Sequence, residues 1–420
     1  MRILWITNIP LPDVCNKIGI KSPNTGGWLH SILDSLREEA ISFGVTSLYN
    51  GDTLQHHIIN EVDYFLLPSP KNNFKYNRSL EKYWREIDSI FNPDIVEIHG
   101  TEFAHSLSYI KLCPNRRFII EIQGLVSVIA RYYYSGISFR GILKNITIRD
   151  ILRRDTLFHS YKNMKQRGII EKEIIQRVSD AIGRTTWDES HVKALNPKIN
   201  YHYCPRTLRS SFYLDSWNIN DIETHSIFLS QAYYPIKGLH QVLKATNIIK
   251  KKYPNIKIYV GGEDITRGNK LLNKIKISGY GLYVKQLIRQ YSLETIVIFL
   301  GSLKEKEIKE RFLKSHLFIA PSSIENSPNS LAEAQILGVP VIASYVGGVP
   351  DMIAEGRTGF MYRFEEVEVL AFLMDKLFSM NSEKLIELSQ NERKEAHIRH
   401  NPQENRRRMV DIYTKIFKNK

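Results

Sequence analysis

Strand-like apolar runs alternate with amphipathic helical runs from the first residue onward, which predicts an α/β protein built on parallel sheets. The alternation breaks once and later restarts, which predicts two such domains. A length of 420 residues agrees, because single hydrophobic cores rarely grow beyond roughly 300 residues.

In order, RILWIT is a strand, followed by a Gly-Gly turn and the helix WLHSILDSLREEAISFG. The strands VTSLY and YFLL come next, then a helix near Tyr83 to Phe91 and the strands DIVEIH and RFIIEIQ. After Gln123 an aromatic and basic helical insertion, containing RYYYSGISFRGILKNITIRDILRRDTLFHSYKNMKQRGII, interrupts the sheet rhythm over about 125–178. SDAIGRT and NYHYC resume it. The pattern starts again at HSIFLSQ and runs through KGLHQVLKATNIIKKKY, IKIYVGG, a helix near Tyr280 to Tyr291, IVIFLG, KEKEIKERFLKS and HLFIAPS. The expected domains are therefore 1–208, with the insertion, and 209–395; a helix within 396–420 has the option of returning to the first. Two Rossmann-like halves predict a ligand cleft facing the carboxyl ends of both sets of strands.

Composition narrows the classes. With 43% hydrophobic and 24% charged residues the chain is neither disordered nor fibrous. No apolar run approaches a membrane span, and the opening RILWIT lacks signal-peptide anatomy, so a cytoplasmic protein is expected. Cys15, Cys113 and Cys204 are scattered and form no CxxC, which argues against a disulfide framework or a zinc site. The net charge of +14 calls for a polyanionic partner, an acidic membrane surface or phosphorylated ligands. Between Arg131 and Arg177 stand eleven Lys/Arg against four Asp/Glu, a surplus of seven that makes up half the total. A second basic cluster lies in NERKEAHIRHNPQENRRRM.

The stretch ENSPNSLAEAQILGVP places Glu325 and Glu333 eight positions apart around a helix start. Pro328 holds its predecessor out of helical geometry, and Asn329 or Ser330 is expected to cap the helix. The amides of Ser330 and Leu331 then sit at a helix N-terminus, a natural phosphate site. Ser330-x-x-Glu333 also fits a capping box, with Glu333 returning to its own helix start. Against that, SLAEAQILG is apolar except for Glu333 and Gln335, and a carboxylate on a buried helix needs strong donors such as vicinal ribose hydroxyls. Glu325 falls in a strand-to-helix loop at the carboxyl edge of the sheet, where loops carry function, although an isolated loop glutamate is ordinarily just solvated.

The E-x7-E passage from Glu325 to Glu333, followed by LGVPVIAS and the pair Gly347 and Gly348, resembles the retaining nucleotide-sugar glycosyltransferases of family 4 (group 1). These have the GT-B fold, two Rossmann-like domains with parallel sheets facing a central cleft. The resemblance covers nearly the full chain and is strongest from Ser226 to Tyr362. It implies that Glu333 binds the donor ribose and that Glu325 contacts the transferred sugar near the reacting centre. YPIKGLHQVLKA resembles the family's phosphate-binding loop, whose lysine is here Lys237; an ammonium there stabilises charge growing on a leaving UDP, GDP or ADP. NTGGWLHSILDSL resembles the glycine loop after the first strand, where Gly26 and Gly27 let amides approach a phosphate or acceptor.

The departures are specific. Where the family has an arginine five or six positions before the lysine, this chain has Gln231 or Ala232, leaving Arg209 or Arg206 as substitutes. The family histidine before the insertion is here Gln123, which can hydrogen-bond a sugar hydroxyl but cannot act as a base. His99, at the end of VEIHG, is a further candidate for the acceptor side and equally a structural residue.

The resemblance implies transfer of a hexosyl group from a nucleotide diphosphate sugar to a glycan or lipid-linked acceptor, with retention, and a role in surface polysaccharide or glycoconjugate biosynthesis. The N-terminal domain would take the acceptor and the C-terminal domain the donor. No metal cluster and no cofactor are expected, the helix dipole and Lys237 standing in for a cation. The basic insertion suits an anionic membrane surface, placing the enzyme peripherally at the inner face of the membrane, or else a solvated scaffold. A GT-B epimerase or hydrolase and a non-catalytic nucleotide-sugar-binding protein are the alternatives. Nucleic-acid binding rests on net charge alone, with no recognisable module.

Overall fold

The computed structural model describes residues 1–22, 27–70, 72–267 and 277–418. The chain forms two compact units, the first made of Met1–Ala130, Asn163–Arg209 and His400–Lys420, the second of Arg131–Lys162 and Ser210–Arg399. Each unit is built on one sheet.

In the first unit the strands are β1 (Arg2–Thr7), β2 (Ser42–Tyr49), β3 (Gln55–Ile59), β4 (Val62–Pro68), β5 (Ile95–His99), β6 (Phe118–Glu121), β7 (Asp180–Gly183) and β8 (Asn200–Tyr203). Among the described residues they lie in the order β3-β4-β2-β1-β5-β6-β7-β8. All neighbours are parallel except β3 and β4. Both faces of the sheet are buried, as parallel sheets require. Ile3 and Trp5 of β1 pack on one side with Leu29, Leu33 and Tyr413, while Leu4 and Ile6 pack on the other with Trp84, Ile87 and Phe91. Tyr413 belongs to the C-terminal helix Pro402–Lys418. The antiparallel edge strand β3 has no counterpart in the expected elements. Its hairpin turns at Asn60 and Glu61, both left-handed at φ 50° and 64°, and without a glycine the usual hairpin signal is missing.

The second unit carries β9 (Glu223–Leu229), β10 (Lys257–Val260), β11 (Val297–Phe299), β12 (Ser315–Ala320), β13 (Val341–Ser344) and β14 (Phe360–Tyr362). Their order is β11-β10-β9-β12-β13-β14, all parallel among the described residues. The strand order reverses between β9 and β12, and in open α/β sheets the carboxyl ends of the strands at such a switch point are where ligands bind.

The insertion does not ride as a whole on the N-terminal unit. Residues Arg131–Lys162 belong to the second unit, and specific polar contacts explain why. Thr147 donates its hydroxyl to the carbonyl of Ile277 at 3.0 Å, and the Asp150 carboxylate accepts the amide of Gly279 at 2.8 Å. The His240 Nε2 meets the carbonyl of Ser135 at 2.9 Å, and Ser135 and Ser323 share a hydroxyl hydrogen bond at 3.0 Å. The expected assignment of the whole insertion to the first domain is thus corrected for Arg131–Lys162: helical periodicity marks an apolar face without saying which surface covers it.

Candidate functional site

The switch point of the second sheet brings Lys237 and Glu325 together. Lys237 closes the short 3-10 turn Pro235–Lys237 after β9, and Glu325 lies in the loop after β12. Because β9 and β12 are direct neighbours, residues far apart in the chain meet: the Lys237 ammonium donates to Glu325 Oε1 at 2.6 Å. The same oxygen accepts the Ser322 hydroxyl at 2.8 Å. Both side chains are partly open, 27% for Lys237 and 16% for Glu325, so a ligand can reach them while bulk water only partly screens them.

Backbone approach holds the pair in place. The amide of Ser323 donates to the carbonyl of Ile236 at 2.8 Å, tying the Lys237 turn to the loop after β12. Gly238, at φ 70°, lies so close that a Cβ would collide with the carbonyl oxygen of Pro321. Gly347, at φ 53°, is packed the same way against the carbonyl of Glu325, and the amide of Gly348 donates to that carbonyl at 3.1 Å. Glycine is required at both positions by conformation and by space. Buried Ser344 adds a hydroxyl hydrogen bond to the carbonyl of Ser322.

The helix after the loop spans Asn329–Leu337 and begins differently from expectation. Its N-cap is Pro328, with no side-chain cap, so neither Asn329 nor Ser330 caps it. Glu333 then falls beyond the third helical position, and the Ser330-x-x-Glu333 capping box does not form. The amides of Leu331 and Ala332 donate to the carbonyl of Pro328 at 3.1 and 3.2 Å, which removes Leu331 as a ready phosphate donor and leaves the helix start at Ser330. Pro328 explains the shift: its φ of −70° suits helix entry, and its carbonyl starts the ladder one residue before the polar candidates. Glu333 is buried at 8% exposure on a helix whose Leu331, Ala332, Ala334 and Ile336 are also buried.

The remaining candidates are dispersed. Gln231 is exposed just past β9, in the second unit. Arg209, half-buried, belongs to the first. Gly27 opens the helix Gly27–Leu36, while Gly26 lies outside the described residues. Gln123 is half-buried just after β6. Arg206 is committed within the first unit, its guanidinium 3.9 Å over the Trp28 ring and 3.2 Å from Glu121.

His99 ends β5 inside a buried polar cluster. Its ring packs against Trp5 at 4.5 Å between centroids, and the carboxylates of Glu97 and Glu121 stand 3.7 and 3.8 Å from its two nitrogens. Glu121 is paired with Arg184, and Glu97 accepts the Tyr413 hydroxyl. Burial pushes the imidazole down to about 4; Glu97 pulls it up, and Arg206 and Arg184 push it further down. A group neutral when folded and basic at 6.5 when unfolded contributes stability above about pH 6.5 that is lost as the pH falls toward 4. His99→Gln is therefore expected to flatten the fall in stability over that window, by at most about 3 kcal/mol, as read from urea midpoints against pH. An unchanged slope would mean that His99 titrates normally in the fold.

Residues 214–395 match the family described as glycosyl transferases group 1. The match falls within the second unit. The matched span contains Lys237, Glu325, Glu333, Gly347 and Gly348. An uncharacterized glycosyltransferase of Bacillus subtilis, YqgM, is 25% identical over 261 residues, 62% of this chain and 67% of that protein. An uncharacterized 41.2 kDa protein in the cps region of Klebsiella pneumoniae is 31% identical over 137 residues, and the chain spans only 38% of its length. Among solved structures, a sucrose-phosphate synthase from Thermosynechococcus elongatus has a TM-score of 0.73 at 14% identity and 99% coverage of both chains. Anabaena HepE in complex with UDP-glucose has a TM-score of 0.66 at 15% identity, covering 99% of this chain and 100% of that one. At these identities the likeness is one of fold, and the fold is GT-B.

Within the matched span, sequence reasoning missed Ser322 and the packing role of the two glycines. The serine carried no signal, since a hydroxyl after a strand is commonplace. Gly347 and Gly348 stood in the recognised motif, but their contact with the Glu325 carbonyl is made only in the folded sheet.

Proposed function

We propose that this chain transfers a hexosyl group from a nucleotide diphosphate sugar to a hydroxyl of a glycan or lipid-linked acceptor, with retention, as a family 4 enzyme of surface polysaccharide or glycoconjugate synthesis. The observation that carries the proposal is the Lys237–Glu325 ion pair at the switch point of the group 1 domain. Its context agrees: YqgM is named a glycosyltransferase, WcaL of Salmonella typhimurium a putative colanic acid biosynthesis glycosyltransferase, and HepE was solved with UDP-glucose.

Before the donor binds, Lys237 and Glu325 neutralise each other. An arriving diphosphate carries more negative charge than one carboxylate and competes for the ammonium, which releases Glu325 toward the sugar while Ser322 keeps hold of one of its oxygens. Glu333 would accept the ribose hydroxyls from its buried helix. The bond from the anomeric carbon to the phosphate oxygen breaks with its electron pair on the diphosphate. The acceptor oxygen bonds on the same face, and its proton passes to the departing phosphate oxygen. Lys237 and the helix start near Ser330 stabilise the charge that develops. Neutralisation is thus assigned to protein groups, and turnover is expected to persist in EDTA. In the first unit Gln123 and Gly27 are proposed for acceptor contacts.

Cys15, Cys113 and Cys204 are free thiols, which agrees with the reducing cytoplasm, where we place the reaction. Among the described residues no helix is long and apolar enough to cross a membrane.

Incubation with radiolabelled nucleotide sugars and a lipid-linked acceptor pool tests the proposal. Label in the acceptor supports it; epimerised or hydrolysed donor, or donor retained unchanged, supports the other GT-B activities or a binding protein. Glu333→Ala is expected to weaken nucleoside diphosphate binding by roughly tenfold, the value of one or two lost charge-assisted hydrogen bonds. Unchanged affinity by calorimetry would leave Glu333 a helix residue only.

A further inference from the structure

We propose that the Arg131–Lys162 segment is a docking surface for an anionic lipid bilayer, carried on the second unit. Two short helices, Phe139–Lys144 and Ile148–Arg153, form it. Each is fixed at its start: the Ser138 hydroxyl accepts the Gly141 amide, and Thr147 and Asp150 make a reciprocal capping box. Ile137, Ile142, Asn145, Asp150 and Thr156 turn inward and are buried. The opposite face is left open. Ile148, Ile151 and Leu152 are 66%, 62% and 73% exposed, and Phe139 and Leu143 are exposed beside them.

Charge follows the same division. Arg131, Arg140, Lys144, Arg153 and Arg154 are all exposed. The two acidic residues of the segment are consumed elsewhere: Asp150 is buried against the amides of Thr147 and Gly279, and Asp155 is paired with Arg149 at 2.9 Å. The open face therefore presents cations and large apolar side chains, and the one carboxylate of the segment that solvent reaches, Asp155, is neutralised by Arg149. A merely solvated helix face has no reason to expose five large apolar residues within fourteen positions, 139–152. A nucleic-acid surface uses the cations but gains nothing from isoleucine and leucine. An anionic bilayer uses both, the cations at the headgroups and the apolar side chains below them. The proposal does not depend on the glycosyl transfer reading.

The test is sedimentation of the full chain with vesicles of phosphatidylcholine alone and of phosphatidylcholine with phosphatidylglycerol, at low and high salt. The native protein is expected to partition at least about tenfold more strongly onto the anionic vesicles, with salt weakening the difference. Two variants probe the two components: Arg140→Gln with Arg153→Gln and Arg154→Gln, and Ile148→Gln with Ile151→Gln and Leu152→Gln. All six side chains are exposed, so thermal unfolding should be close to native. Each variant is expected to lose about tenfold or more in partition while binding nucleoside diphosphate as the native chain does. Equal binding to both vesicle types, partition unaffected by either variant, or a preference for double-stranded DNA over the anionic vesicles would overturn the proposal. Failed docking with intact sugar transfer would leave the function standing, and the reverse outcome would leave the docking standing.

Discussion

Glu325→Gln is expected to tighten binding of free nucleoside diphosphate by a few-fold while slowing turnover by about 100-fold or more, whereas Lys237→Ala weakens both. The opposite signs on affinity follow from the 2.6 Å ion pair. With no ligand, Glu325 occupies the ammonium that a diphosphate needs, and a partly exposed pair of this kind is worth roughly 0.5–1 kcal/mol. Removing the carboxylate charge removes the competitor. In the proposed transfer the same change deprives the reacting sugar of its carboxylate, an interaction that would gain strength as the transition state forms. In the same proposed step, losing Lys237 would remove a donor to charge that grows on the leaving group, and single donors of that kind contribute about 100- to 1,000-fold to turnover. Calorimetry with nucleoside diphosphates and single-turnover kinetics with the nucleotide sugar separate the two quantities. If both variants lost nucleotide affinity equally, the competition between carboxylate and diphosphate would be ruled out.

Gly347→Ala should abolish most turnover although glycine 347 offers no functional group to the reaction. At φ 53° any L side chain is strained, by about 1–2 kcal/mol, and here the added Cβ also meets the carbonyl oxygen of Glu325, which is backbone and cannot swing aside. The loop must move, carrying Glu325 away from Lys237 and Ser322, and displacements near 1 Å in such a site cost on the order of 100-fold. Gly19→Ala is the control. That residue has φ 70° with nothing within 4 Å of its Cβ position, so it isolates the conformational strain. It should lower stability by about 1 kcal/mol and leave turnover unchanged. Equal effects of the two substitutions on unfolding midpoint and on kcat would show that the close approach at Gly347 has no consequence.

Several features were legible before the fold was seen. Alternating strands and helices named most of the strands, because a sheet covered on both faces demands continuous apolar runs such as FIIE in β6 and HLFIA in β12. The exceptions were the three-residue β14, too short to show a pattern, and β3, whose QHHII exposes alternate residues at an antiparallel edge and turns without glycine. The helix Asn329–Leu337 was legible as buried, since its apolar residues surround Glu333 on every side. Its first residue was not, because the caps favoured by sequence lost to the geometry that Pro328 imposes.

By itself the sequence determined the α/β class, the second start of the pattern after the insertion, and the chemical types at the site: a lysine before a glycine, two glutamates around a helix, a Gly-Gly pair. These are local properties, written in periodicity and in residues whose backbone preferences act over a few positions. Only the tertiary structure decided that Lys237 and Glu325, 88 positions apart, share a hydrogen bond, that Ser322 joins them, and that Gly347 lies against the Glu325 carbonyl. It also decided that Arg131–Lys162 packs into the second unit and that Glu97, Glu121, Arg184 and Tyr413 surround His99. The physical reason is the strand order. Periodicity tells each element that it is buried, but pairing β9 with β12 across the intervening strands β10 and β11 and their helices is a choice among many packings of similar apolar surface, settled by the whole sheet at once.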